Sequence, residues 1–203
     1  MTIENEDATR AAAVAWVQQW AGLVANPDGA VDDWDRYLTL IAHNEDAATA
    51  RAMGRASGCA LFARAYLRAI LLDVPACLTR PYVTGHAVSD VHGIALAAGA
   101  VRTPSAHVDF VPRPGDIVRV NSPEHVYVVT SVAERPYGFD VESVDGGQVV
   151  SGCQAIEARV RTIEVGANSW SDRAEGSGVV RVVASVYDLA AMVTHYGAGE
   201  ALG

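Results

Sequence analysis

Residues 114–132 read Pro114-Gly115-Asp116-Ile117-Val118-Arg119-Val120-Asn121-Ser122-Pro123-Glu124-His125-Val126-Tyr127-Val128-Val129-Thr130-Ser131-Val132. Pro-Gly-Asp is a turn signal, and Asn-Ser-Pro-Glu is another. Between and after them run β-branched residues in the alternation expected of strands. The same pattern predicts strands at 117–120, 125–132, 139–144, 160–165 and 179–185, joined by hairpin-like links. Ahead of residue 114 the spacing is helical. Ala13, Val14, Val17, Trp20, Ala21 and Val24 recur at three- and four-residue steps and predict a helix over 8–25. Trp34, Tyr37, Leu38 and Ile41 mark a second helix, with Asp32 or Asp33 as its cap. The Ala-rich stretch 45–56 reads as helical, and so do Leu61, Phe62, Ala65, Tyr66, Ala69 and Ile70, up to Pro75. Residues 76–115 read as a loop-rich connection around one helix at 89–98, and 187–195 as a closing helix. Helices grouped ahead of strands indicate an α+β domain with the helices packed on an antiparallel sheet of about five strands.

The chain has 203 residues, half of them hydrophobic and 19% charged. That length and composition suit one folded domain spanning 1–203, with 1–56 as a helical extension and 57–203 as the core. Fifteen Lys and Arg stand against 24 Asp and Glu, a net charge of −9, and no basic cluster is present to displace phosphate counterions. Nucleic acid is therefore not the expected partner. The apolar runs are too short to span a bilayer, and the acidic start Met-Thr-Ile-Glu-Asn-Glu-Asp lacks the pattern of a Sec signal. The expectation is a protein that is cytoplasmic as synthesised, without a membrane partner, and released, if at all, by lysis or a specialised secretion machine. Three cysteines without a C-x-x-C spacing argue against a disulfide framework or a cysteine-rich zinc site.

One set of residues carries chemistry. Cys59 follows Ser57-Gly58 at the start of an apolar helix, where unpaired amide N–H groups and the helix dipole favour a thiolate. His125 opens an alternating strand, a position from which an imidazole can reach a helix tip. A third polar group is needed to orient the ring. The next strand offers Asp140, Glu142, Asp145 and Gln148, of which Asp145 is the first choice.

The segments Ser57-Gly58-Cys59-Ala60-Leu61-Phe62-Ala63, Pro114-Gly115-Asp116-Ile117-Val118 with His125-Val126-Tyr127-Val128-Val129, and Val144-Asp145-Gly146-Gly147-Gln148 occur in that order. In this order they resemble the CHAP and NlpC-type cysteine peptidases and amidases, over residues 55–150. The resemblance implies a papain-like fold, a peptidoglycan peptide or other amide substrate, and no cofactor. It places nucleophile, base and orienting residue on Cys59, His125 and Asp145. Ser57, Gln148 and Trp170 are expected at the oxyanion site or along a substrate groove. Many relatives have Asp-Cys-Ser-Gly at the nucleophile where this chain has Ser-Gly-Cys-Ala, so substrate specificity does not carry over. A toxin-like role would bring an inhibitor or immunity protein as partner. Two other functions fit the same residues: a non-catalytic peptide-binding module, and an intracellular hydrolase or acyltransferase acting on another amide or a thioester. Cys77 and Cys153 read as structural. The spacing of His86, His92 and His107 matches no zinc pattern, so no metal is expected.

Overall fold

In the computed structural model, residues 3–25, 31–42, 45–46, 48–49, 52, 58–79, 87–107, 109–121, 124–150, 153–167, 169–199 and 201 are described. In chain order the elements are α1 (Ile3–Gln18), β1 (Val24–Ala25), α2 (Val31–Ile41), α3 (Gly58–Ile70), α4 (Ala76–Thr79) and α5 (Ala87–Ala97), followed by β2 (Val101–Arg102), β3 (Ile117–Asn121), β4 (His125–Arg135), β5 (Gly138–Val150), β6 (Cys153–Val165), β7 (Trp170–Ala174), β8 (Arg181–Tyr187) and α6 (Leu189–Tyr196).

The strands form a ring. Antiparallel pairing runs β3 to β4, β4 to β5, β5 to β6, β6 to β7, β7 to β8 and back from β8 to β3. This closed six-stranded barrel carries β1 on β6 and β2 on β8 as two extra strands. It overturns the expected papain-like α+β arrangement of helices on an open sheet of about five strands. The element that closes the ring is β7, Trp-Ser-Asp-Arg-Ala, which lies in a Gly- and Ser-rich stretch and has a polar centre. Its inward residues are Trp170, Asp172 and Ala174, so a buried aspartate occupies a position where alternation would call for an apolar side chain. Closure also removes the exposed edges that an open sheet would present.

Alternation divides the apolar residues between two sides of the barrel wall. Val118, Val120, Tyr127, Val129, Phe139, Val141, Ile163, Trp170, Val183 and Val186 fill the interior. Ile117, Val126, Val128, Val144 and Ile156 face outward and pack with the apolar sides of the helices, including Val17, Tyr37, Leu61, Phe62 and Tyr66. Helix α1 ends at Gln18, well short of the expected residue 25. The chain turns at Gly22, and its backbone then pairs with β6, Gly22 N donating to Ile156 O and Ile156 N to Leu23 O. Asp32 and Asp33 fall inside α2 and do not precede it. Most of the helix expected over 45–56 lies outside the described residues.

The Pro-Gly-Asp turn is a structural clamp. Asp116 is fully buried; its Oδ1 accepts from Arg10 Nη1 at 2.8 Å and from Leu189 N at 3.0 Å, and its Oδ2 accepts from Arg113 N at 2.9 Å. Arg10 also reaches Asp188, the N-cap of α6, whose carboxylate accepts from Ala190 N. One arginine of α1 therefore joins the barrel turn to the closing helix. Among the described residues, no helix is long and apolar enough to cross a membrane.

Candidate active site

The first turn of α3 lies against the β5 strand at a bulge between Asp145 and Gln148. The approach needs glycine on both sides. A methyl group built on Gly58 would lie 2.5 Å from Gly147 N, and one built on Gly147, which has a φ of +69°, would lie 2.5 Å from Cys59 N. This packing sets Cys59, half-buried as the second residue of the helix, beside the first residue of β4.

His125 interacts with Cys59 on one side and is hydrogen-bonded to Asp145 on the other, with Nε2 2.9 Å from Asp145 Oδ2. An ionised carboxylate only accepts, so Nε2 carries the proton and Nδ1 is left for the thiol. Burial acts to raise the Cys59 thiol, but the His125 contacts and the backbone N–H groups of Val126 and Ala60 outweigh it and hold the thiol below its ordinary range. Burial likewise opposes the imidazolium, and Asp145 and Cys59 together lift His125 above its usual value. Asp145 is fully buried, yet bonds from His125, the charge of Arg161 and the Ser143 hydroxyl keep it below the ordinary carboxylate range. Both departures favour a thiolate–imidazolium pair over the neutral thiol and imidazole.

Asp145 is in turn held from behind. His125 and Tyr127 of β4, Ser143 and Asp145 of β5, Arg161 of β6 and Asp172 of β7 gather in the barrel. Arg161 Nη2 donates to Asp145 Oδ2, Nε donates to Ser143 Oγ at 3.0 Å, and Nη1 donates to Asp172 Oδ2 at 2.8 Å. Ser143 Oγ donates to Asp145 Oδ1 at 2.7 Å, and Tyr127 donates to Asp172 Oδ1 at 3.0 Å. The guanidinium lies over the Tyr127 ring, 4.0 Å from its centre. Burial pushes the Asp172 carboxyl up, with Arg161 and Tyr127 opposing.

Of the residues singled out in the sequence, Cys59, His125 and Asp145 come together. Gln148 borders the imidazole, its amide nitrogen 3.4 Å from His125 Nε2. Trp170 does not line a groove: it is 2% exposed and packs on Phe139 inside the barrel. Ser57 and His86 lie outside the described residues. Asp140 and Glu142 point outward from β5, in the phase opposite to Asp145. His92 contacts the Tyr187 hydroxyl and His107 accepts from Thr103 N. Among the described residues, no group of three or more His, Cys, Asp or Glu is placed to hold a metal ion.

The sequence reading missed Arg161, Asp172, Ser143, Tyr127 and Tyr37. Arg161 is in phase with Ile163, and Asp172 with Trp170, which was the available sign that both face the interior. Tyr37 of α2 is fully buried with a hydroxyl that has no hydrogen-bond partner among the described residues. That hydroxyl lies 2.8 Å from where a methyl on Gly58 would stand, beside the Gly58–Cys59 peptide. Burial, followed by the Cys59 charge, raises its proton affinity, so it remains a donor. No family model, curated protein or solved structure matches the chain.

Proposed function

We propose that the protein is a cysteine hydrolase that cleaves an amide bond, with peptidoglycan stem peptides or cross-bridges as its substrate class. The observation that carries the chemistry is the juxtaposition of Cys59, His125 and Asp145 at the N-terminus of α3, with His125 hydrogen-bonded to Asp145. The substrate class rests on the resemblance of the segments around these three residues to CHAP and NlpC-type enzymes. Gln148, beside the imidazole, is half-buried and the adjacent Val149 is exposed.

In the reaction His125 holds the proton of the Cys59 thiol, and the thiolate attacks the amide carbonyl carbon. A C–S bond forms and the carbonyl oxygen becomes an oxyanion. The Cys59 amide N–H and the Tyr37 hydroxyl are the donors for that charge. Collapse breaks the C–N bond as the imidazolium gives its proton to the leaving amine. Water, deprotonated by His125, then attacks the thioester, the C–S bond breaks, and carboxylate and thiolate are released.

The test is digestion of purified peptidoglycan by the wild type and by Cys59→Ala, with mass spectrometry of the released fragments. New amine and carboxylate termini from the wild type and none from Cys59→Ala are expected. Equal fragment release by the two proteins would overturn the thiol mechanism.

A further inference from the structure

The barrel interior holds two carboxylates, Asp145 and Asp172, against one guanidinium, Arg161, within hydrogen-bonding distance. The side chains of all three are at most 1% exposed, so water does not screen them. With both carboxylates ionised this hydrogen-bonded set is one positive charge short, and Arg181 of β8, across from Asp172 without a direct ion pair to it, offsets part of the excess at that end. At the Asp145 end the group placed to supply positive charge is His125, 2.9 Å away. Asp172 touches neither Cys59 nor His125, so the mechanism above gives it no role.

We propose that Asp172, acting through Arg161, is a positioning residue for the triad: by sharing the guanidinium with Asp145 it limits how far Arg161 neutralises that carboxylate, and so keeps Asp145 free to hold His125 as an imidazolium. This inference rests on the hydrolase reading. The fork geometry explains why the residue at 161 is an arginine. Three of its donors serve three acceptors at once, and its flat face covers Tyr127, which no lysine ammonium could do. The remaining titratable groups facing the cluster are Cys59 from α3 and Tyr37 from α2, next to the imidazole end. Arg181 from β8 acts on Asp172 from the other end.

Asp172→Asn tests the idea with little disturbance. The asparagine carbonyl can still accept from Arg161, and its amide can donate to the Tyr127 oxygen, so the network keeps its bonds but loses one negative charge. Arg161 then balances Asp145 alone, and the demand for an imidazolium falls. The protonation midpoint of His125, followed by NMR titration of its ring resonance in the full chain and assigned by its absence in His125→Ala, should fall by about 0.5 to 1 in pH. Asp172→Ser, which removes the same charge and leaves room for water, should move it in the same direction.

An unmoved midpoint in either folded variant, with wild-type turnover intact, overturns the inference alone. Loss of fold in both variants also overturns it, since the pair would then be purely structural. Absence of wild-type turnover on every amide tested overturns the hydrolase reading, and the inference with it.

Discussion

Two buried clusters in this molecule are made of the same parts, an arginine between two aspartates. Arg10 lies between Asp116 and Asp188 where α1 meets the barrel, and Arg161 lies between Asp145 and Asp172 inside it. Around Arg10 the charges are even, because Arg10, Arg102 and Arg113 face Glu6, Asp116 and Asp188. The aspartates there also accept from the backbone amides of Arg113, Leu189 and Ala190, none of which titrates. Around Arg161 the direct ion pairs are uneven, two carboxylates to one guanidinium, and the neighbour at the Asp145 end is an imidazole. A buried Arg–Asp pair does little for stability compared with well-packed apolar residues, though breaking one is expensive. What separates the two clusters is therefore what they end on. One ends on helix caps and fixes architecture, and the other ends on a group whose proton affinity it changes.

Asp116→Ala should have the largest effect. It leaves Arg10 buried without its main partner and uncaps the Pro-Gly-Asp turn, so unfolding stability should fall by about 3–5 kcal/mol. Chemical denaturation would measure the loss. Under conditions where the variant remains folded, the pH dependence of Cys59 alkylation should match the wild type. A shifted profile would mean that the two clusters are coupled after all.

Tyr37→Phe sharpens the contrast from the other side. Among the described residues the hydroxyl has no partner to lose, so stability should not fall, and removing a buried unpaired oxygen is favourable. If the hydroxyl binds the oxyanion, kcat should drop by about 100-fold, roughly 2.7 kcal/mol of transition-state stabilisation, with KM nearly unchanged. Steady-state kinetics together with thermal denaturation separates these two effects, and an unchanged kcat would remove Tyr37 from the site.

The triad was legible because each member has a local signature: a thiol two residues into an apolar helix, a histidine opening a strand, and an aspartate before a Gly-Gly bulge. Strands β3, β4, β5 and β8 were legible from β-branched alternation. The closed barrel was not. It depends on β7, whose Ser-Asp-Arg centre reads as loop until Asp172 is seen to have a buried guanidinium opposite it. Arg161 was obscure for the reciprocal reason, since a charged residue in a strand normally marks the solvent face. Each of the two makes sense as an interior residue only once the other is in place, and their 11-residue separation crosses a hairpin that periodicity alone cannot register. The end of α1 was misplaced because the pull of β6 on residues 22–25 is tertiary and leaves no trace in helical spacing.

If the hydrolase reading holds, His125 activates the Cys59 thiol. Cys77 and Cys153 are also half-buried, which makes them internal controls of similar exposure. Near pH 6 an ordinary thiol with a pKa of about 8.5 is only about 0.3% ionised. With Cys59 lowered and His125 raised, Cys59 should carry a larger thiolate fraction at that pH than an ordinary thiol, both departures acting in the same direction. The measurement is the alkylation rate of each cysteine near pH 6, by peptide mass spectrometry, in the wild type and in His125→Ala. The expected result is labelling of Cys59 about tenfold or more faster than the other two, falling to their level in His125→Ala. Equal rates at all three cysteines, or a fast Cys59 that does not respond to loss of His125, would contradict it.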